Sequence, residues 1–209
     1  MTQTLPAHEL TLSEVEDRFH LRDVLNDPTF FPEWQVGLPK LTSLEQENLD
    51  RIRTEFLYLC KYKTLEDLIK MVVISPLLSM AGFYQPPIRP ALEHRVDVSL
   101  QEGEQTLWGR IDILGLQQQL WVAVIESKQA GFSLKDAVAQ TLFYMCANPD
   151  SERPTFALVS NGSHFRFIKL VAGEPGRYGL SMELSIHRPE NELYQVLAVL
   201  KRFVALAQG

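Results

Sequence analysis

The chain has 209 residues, a formal net charge of -6, and 45% hydrophobic and 22% charged residues. That length fits one domain, alone or with an arm, and buries a full core without disulfide or zinc staples. The acidic balance weighs against strong autonomous binding to nucleic acid, because a protein that grips phosphates usually shows a basic face. Its two cysteines, Cys60 and Cys146, sit in apolar helical patterns and read as packing residues, and no Cys/His cluster has zinc-ligand spacing. The stretch "MTQTLPAHELTLSEVEDRF" lacks the basic and apolar regions of a secretory signal. "MVVISPLLSMAGF" is too short to span a bilayer and carries a proline. The expectation is a soluble, cytoplasmic protein with no membrane partner.

In chain order, residues 1–42 are proline-punctuated and read as an N-terminal arm with one short helix near Leu12–Phe19. Residues 43–209 read as the main domain. From Ser43 the pattern turns helical, with Leu49, Ile52, Phe56 and Leu59 at spacings of three and four. Thr64 opens a second helix, with Asp67 three residues on as an approximate capping box. Leu65, Leu68, Ile69, Val72 and Val73 form its apolar face, Pro76 kinks or ends it, and Gly82 closes it. The period then changes to two. "EHRVDVSLQ", "TLWGRIDILG" and "LWVAVIESK" read as a three-strand meander, and the third strand is apolar on both faces, as in the centre of a covered sheet. A helix starts at Ser133. "PTFALVS" and "SHFRFIKLV" flank the hairpin signal Asn161-Gly162, and "YGLSMELSIH" precedes a C-terminal helix with Leu193, Val196, Leu197, Leu200 and Val204 on its apolar face. This order predicts an α/β architecture, a central mixed sheet flanked by helices.

The chemistry-bearing residues fall at the ends of the second and third meander strands. In "GRIDILG", alternation sets Ile111 and Ile113 on one face and Asp112 on the other. In "VIESK", Glu126 and Lys128 share a face while Ser127 points away. A short turn joins the two strands, so Asp112 and Glu126 are expected side by side on antiparallel neighbours. Two close carboxylates repel, and a divalent cation resolves the conflict. Mg²⁺ (or Mn²⁺) suits an all-oxygen site with one or two carboxylates, where it polarises a phosphoryl oxygen and acidifies a bound water. Lys128 would then orient that water and stabilise the charge growing on phosphorus. A bare Glu-x-Lys at a strand end is otherwise a solvated ion pair. The next helix adds Gln140 and Tyr144, four residues apart and therefore on one face.

The order Asp112, Glu126-x-Lys128, Gln140-x-x-x-Tyr144 resembles the RecB-like branch of the PD-(D/E)xK nuclease superfamily. It looks most like the N-terminal nuclease domain of the restriction (R) subunit of type I restriction enzymes. "TLEDLIKMVVISPLLSMAGF" is similar to the first helix of that family, and "LVSNGSHFRFIKL" to its downstream strand, turn and aromatic-rich strand; the resemblance spans roughly residues 50 to 172. It implies a restriction endonuclease-like fold and a Mg²⁺-dependent endonuclease acting on DNA. It implies metal ligation by Asp112, Glu126 and the backbone carbonyl of Ser127, with Lys128 as the catalytic lysine. Gln140 and Tyr144 would support the site or contact the nucleic acid. Glu66 matches the helix-borne acid that completes the metal shell, with Glu55 as its rival and an exposed first-turn acid as the plain alternative. Implied partners are DNA and restriction-system subunits, or a second copy of the chain. Ile111 stands where the family's name has a proline, and no Walker A pattern occurs in the 209 residues.

Two other readings stand beside this one. The chain is alternatively a catalytically silent nucleic-acid-binding or interaction module that keeps the nuclease fold, or an unrelated α/β protein whose acids and lysines are surface ion pairs. Arg89, Arg95, Arg110 and Lys135 read either as a phosphate-binding rim or as scattered surface cations. His164 reads as a strand residue, and Trp34, Trp108 and Trp121 as packing residues.

Overall fold

The computed structural model describes residues 3–24, 27–62, 66–100, 105–117, 120–127, 134–149 and 152–208, with residues 3–5, 99–100, 105–106, 116–117 and 120–127 described by their backbone. Among the described residues a nine-stranded mixed sheet runs in the order β1-β4-β5-β6-β7-β8-β2, with β3 paired to β4 and β9 to β7. The strands are β1 (Gln3–Pro6), β2 (Leu21–Asp23), β3 (Ile88–Leu100), β4 (Gln105–Gln117), β5 (Leu120–Ser127), β6 (Thr155–Ser160), β7 (His164–Val171), β8 (Gly176–Leu180) and β9 (Leu184–Ser185). Helices cover both faces: α1 (Leu12–Arg18) and α5 (Leu134–Cys146) on one, α2 (Ser43–Leu59), α4 (Ser75–Ala81) and α6 (Leu193–Gln208) on the other. The expected mixed sheet between helices is therefore what the chain forms, an architecture compatible with the restriction endonuclease-like fold.

The sheet separates two apolar cores. Leu49, Ile52 and Phe56 of α2 pack with Leu77 and Leu78 of α4, with Leu197, Leu200 and Phe203 of α6, and with Phe156, Leu158, Phe165 and Phe167 of the sheet. On the opposite face Val138, Leu142 and Phe143 of α5 pack with Val15 of α1 and with Ala157, Val159, Ile168 and Leu170. Strand β6 supplies alternate residues to each core and is buried throughout, as a central strand must be. The connection from β5 to its parallel neighbour β6 runs through α5, the usual way to join parallel strands.

Residues 1–42, read from sequence as an arm, are laid into the sheet at two places. Strand β1 pairs in parallel with β4, from Gln3↔Gln105 to Pro6↔Trp108, and β2 pairs in parallel with β8, from Leu21↔Gly176 to Asp23↔Tyr178. Ala7 and Val15 are core residues of the α5 side. Both strands are shorter than five residues, and their pairing partners lie more than a hundred residues away, so no local pattern reveals them.

The expected helix after Thr64 is three pieces. Thr64 and Leu65 lie outside the described residues; α3 (Glu66–Ile69) continues into a π-helical turn, Lys70–Ile74, and then α4. Pro76 accounts for the change. It has no N–H to offer the carbonyl four residues back, and the ladder before it shifts so that the Ser75 N–H reaches the carbonyl of Lys70, five residues back. Gly82 ends α4 with φ +95°, as its place after the last apolar residue implied.

The hairpin at Asn161-Gly162 is present. The Asn161 side chain accepts from the N–H groups of Ser163 and His164 at 3.1 and 2.8 Å, and Gly162 has φ +79°. The single last strand expected over "YGLSMELSIH" is instead β8 and β9, both paired to β7. Between them the Ser181 hydroxyl accepts from the Phe167 N–H at 2.9 Å, so a side chain replaces one rung of the ladder. Among the described residues no helix is long and apolar enough to cross a membrane.

Candidate active site

Strand β4 has β3 along one whole edge, while its other edge is shared. Strand β5 pairs with Ile113–Gln117 and β1 pairs with Gln105–Trp108. Between those ladders the edge of residues 109–112 faces a split in the sheet. Asp112 sits at the upper lip: Ile113↔Ile125 is the last pair between β4 and β5, and Asp112 and Glu126 are the next residue on each strand. The two sequence-predicted acids thus lie on adjacent antiparallel strands, as the short turn implied. The Glu126 and Ser127 side chains, and Lys128 as a whole, lie outside the described residues.

One expectation about Asp112 is corrected. Ile111 packs in the α5-side core and Ile113 in the opposite core, so the two do not share a face. Simple alternation fails because the strand pair is irregular here. On β3 the residues flanking the irregularity, Leu92 and His94, pair with Ile113 and Ile111, while Glu93 between them has φ +50° and makes no pair. A non-glycine residue in that left-handed region costs about 1–2 kcal/mol, and such strain collects where a side chain is re-aimed.

The re-aimed Asp112 carboxylate meets a cation that sequence reasoning missed. Lys70, on the first residue of the π-helical turn, places its ammonium 2.8 Å from Asp112 Oδ1 and 2.9 Å from Glu66 Oε1. Glu93 Oε1 lies 3.9 Å from the same nitrogen, and Glu93 is linked in turn to Arg110 at 3.3 Å. Asp112 is the least exposed member, with 12% of its side chain accessible. Burial disfavours the charged lysine, but hydrogen bonds to Asp112 and Glu66 outweigh it and hold the Lys70 pKa well above the ordinary lysine value. The signal in the sequence was the Glu66-x-x-x-Lys70 spacing, one helical turn that sets both side chains on one face.

Of the two rival helix acids, only Glu66 joins this cluster. Glu55 is exposed on α2 and pairs with Arg51 at 4.0 Å. Gln140 and Tyr144 are buried, and they act on the split from the α5 side. The Tyr144 hydroxyl accepts from the Arg110 backbone N–H at 3.1 Å and from the Gln140 side-chain amide. Arg110 lies on the stretch of β4 edge that neither β5 nor β1 pairs, so a phenol supplies an acceptor that no neighbouring strand does there. The ring approaches so closely that a Cβ on Gly109 would lie 2.5 Å from Tyr144 Cε1, which explains glycine at that position. Two of the four candidate rim cations have acidic partners: Arg95 binds Asp97 and stacks over Trp108 at 5.6 Å, and Arg110 binds Glu93 at the margin of the cluster.

Among the described residues no group of three or more His, Cys, Asp or Glu side chains is arranged to hold a metal ion. The described acids nevertheless suit one chemically. Oxygens of Asp112 and Glu66 already converge on a single cation, and every candidate donor is an oxygen, the ligand type of Mg²⁺ and Mn²⁺.

The deciding comparison is with protein families. Residues 94–176 match the family model of the type I restriction enzyme R protein N terminus. The matched stretch of this PD-(D/E)xK nuclease-like family opens one residue after Glu93 and closes on the first residue of β8. It holds Asp112, Glu126, Ser127, Lys128, Gln140 and Tyr144; Glu66 and Lys70 lie upstream of it. No curated protein matches the chain.

Proposed function

We propose that this chain is a Mg²⁺- or Mn²⁺-dependent endonuclease domain hydrolysing DNA phosphodiesters in a restriction system. Asp112, Glu126 and Lys128 are its catalytic residues. The observation that carries the reading is the split in the sheet, where Asp112 and Glu126 are each the first residue beyond the last β4–β5 pair, on facing strands, and Glu66 is drawn to Asp112 by Lys70. The match to the R protein N-terminal family supports it independently. Asp112, Glu126, the Ser127 carbonyl and Glu66 would hold the ion, which when bound supplies Lewis-acid activation of the phosphoryl group and of water. Lys128 holds the attacking water and stabilises the charge developing on the phosphoryl oxygens. Tyr144 and Gln140, both buried, hold the β4 backbone beside the site. DNA and other subunits of the restriction system are the partners of this reading.

The test is cleavage of plasmid and single-stranded DNA with Mg²⁺ or Mn²⁺, run beside Lys128→Ala. The variant should lose about a hundredfold to a thousandfold in rate and keep its melting temperature. Cleavage by Lys128→Ala at the wild-type rate overturns the mechanism. A second reading, a silent module that binds without cutting, is favoured by the net charge of -6 and by the neutralisation of Asp112 and Glu66 by Lys70. DNA retention with no cleavage under either ion would select it.

A further inference from the structure

We propose that Lys70 is a positioning residue that serves as the resident counter-cation of the acidic site, so that metal binding there is an exchange of an ammonium for a divalent ion. The inference rests on the metal-site reading above and concerns what sets its affinity. The Lys70 ammonium lies within 2.9 Å of both Asp112 and Glu66 and within 3.9 Å of Glu93. Lys70 is the cation that reaches Asp112 and Glu66 together, while Arg110 binds Glu93 at 3.3 Å on the outer side of the cluster. The same Asp112 and Glu66 oxygens cannot hold the ammonium and ligate an ion together, because two cations a few ångströms apart repel strongly in a partly buried setting.

The chain is built to hold and release this lysine. Lys70 begins the π-helical turn forced by Pro76, and such turns recur at functional sites. Its side chain keeps 21% of its surface accessible, which gives the flexible four-carbon stem a direction in which to withdraw. Until an ion arrives, the lysine keeps Asp112 and Glu66 at the spacing of ligands to one cation and prevents their mutual repulsion from opening the site.

The test is calorimetric titration of Mn²⁺, without DNA, into the wild type, Lys70→Met, Lys70→Gln and the Lys70→Met, Asp112→Asn double variant. Removing the competing ammonium should tighten Mn²⁺ binding by about fivefold to tenfold, and the double variant should lose the gain. Melting temperatures with and without Mn²⁺ give a second readout, since bound ligand stabilises the folded state. Mn²⁺ should raise the melting temperature more in Lys70→Met than in wild type. Unchanged or weaker binding in both single variants overturns the exchange and leaves the metal site standing. No binding by any of the four proteins overturns the metal site and the exchange with it.

Discussion

The Tyr144 hydroxyl accepts from Arg110 and Gln140 while its ring excludes any side chain at position 109. Tyr144→Phe keeps the ring and removes the acceptor, leaving a part-buried backbone N–H without that partner, which typically costs about 1–3 kcal/mol. Urea unfolding should show that loss, and cleavage should fall with it if β4 shifts at the split. A variant as stable as wild type would mean that water replaces the phenol. Glu93 offers the opposite case. Its φ of +50° is strained for any residue but glycine, so Glu93→Gly should stabilise the fold or leave it unchanged, and Glu93→Val should destabilise it. At this scale the sequence was readable where chemistry depends on local spacing. Gln140 and Tyr144, one helical turn apart on α5, meet as their spacing implies, and the short turn after β4 sets Asp112 and Glu126 on neighbouring strands, while Lys128 lies outside the described residues. Lys70 was missed because its main partner lies 42 positions away on another element. Ile111 and Ile113 do not share a face because alternation presumes an unbroken strand pair, and here the ladder skips Asp112 and, on the neighbouring strand, Glu93 with its φ of +50°.

Among elements, the segment from Glu66 to Ala81 links a sequence feature to site geometry most directly. Pro76→Ala restores an N–H and lets the π-helical turn relax toward α, which rotates Glu66 and Lys70 away from Asp112. The expected outcome is a melting temperature equal to or above wild type with weaker Mn²⁺ binding by calorimetry. Weaker binding in Lys70→Met, Pro76→Ala than in Lys70→Met alone would isolate the part played by Glu66, and equal affinity in that background would show that the turn does not aim it. Helix α2 carries a different consequence. Glu45 closes the capping box with Thr42 and also binds Lys201 of α6, tying two helices of one core. Burial works against its charge, but the bonds from Lys201 and Thr42 prevail and lower its pKa below the ordinary 4.5. A depressed folded pKa contributes stability that is complete above the unfolded value and disappears as pH falls through the folded one. Lys201→Met should therefore make the acid limb of a stability–pH curve less steep below pH 4.5. An unchanged limb would place the effect elsewhere. Most elements were legible because their periods are long and clean, as in α2, α5 and α6. The split of the last strand was not, since a single serine hydroxyl in place of a ladder bond leaves no trace in hydrophobic pattern.

Across the whole molecule, the first residues belong to the same sheet as the site. If residues 1–23 were an arm, their removal would be tolerated. Because β1 borders the split, and Ala7 and Val15 are core residues, their deletion should lower the melting temperature sharply or prevent soluble expression. A truncated chain that melts as wild type would return these residues to the role of an arm. Short edge strands with distant partners are what a sequence conceals most completely, while the central β5-α5-β6 unit is plain in it.

The pairing of β2 with β8 joins Leu21 to Gly176. A chain emerging from the ribosome at roughly 5–20 residues per second presents the first of these long before the second. For on the order of ten seconds or more β2 has no partner, because the edge it will occupy does not exist. The sheet is therefore completed late at this edge, and β2 finds its place only once β8 has been made. The charged composition of the stretch ending in β2 suits that wait, since "ELTLSEVEDRFHLRD" intersperses five Glu and Asp and two Arg residues among its apolar ones.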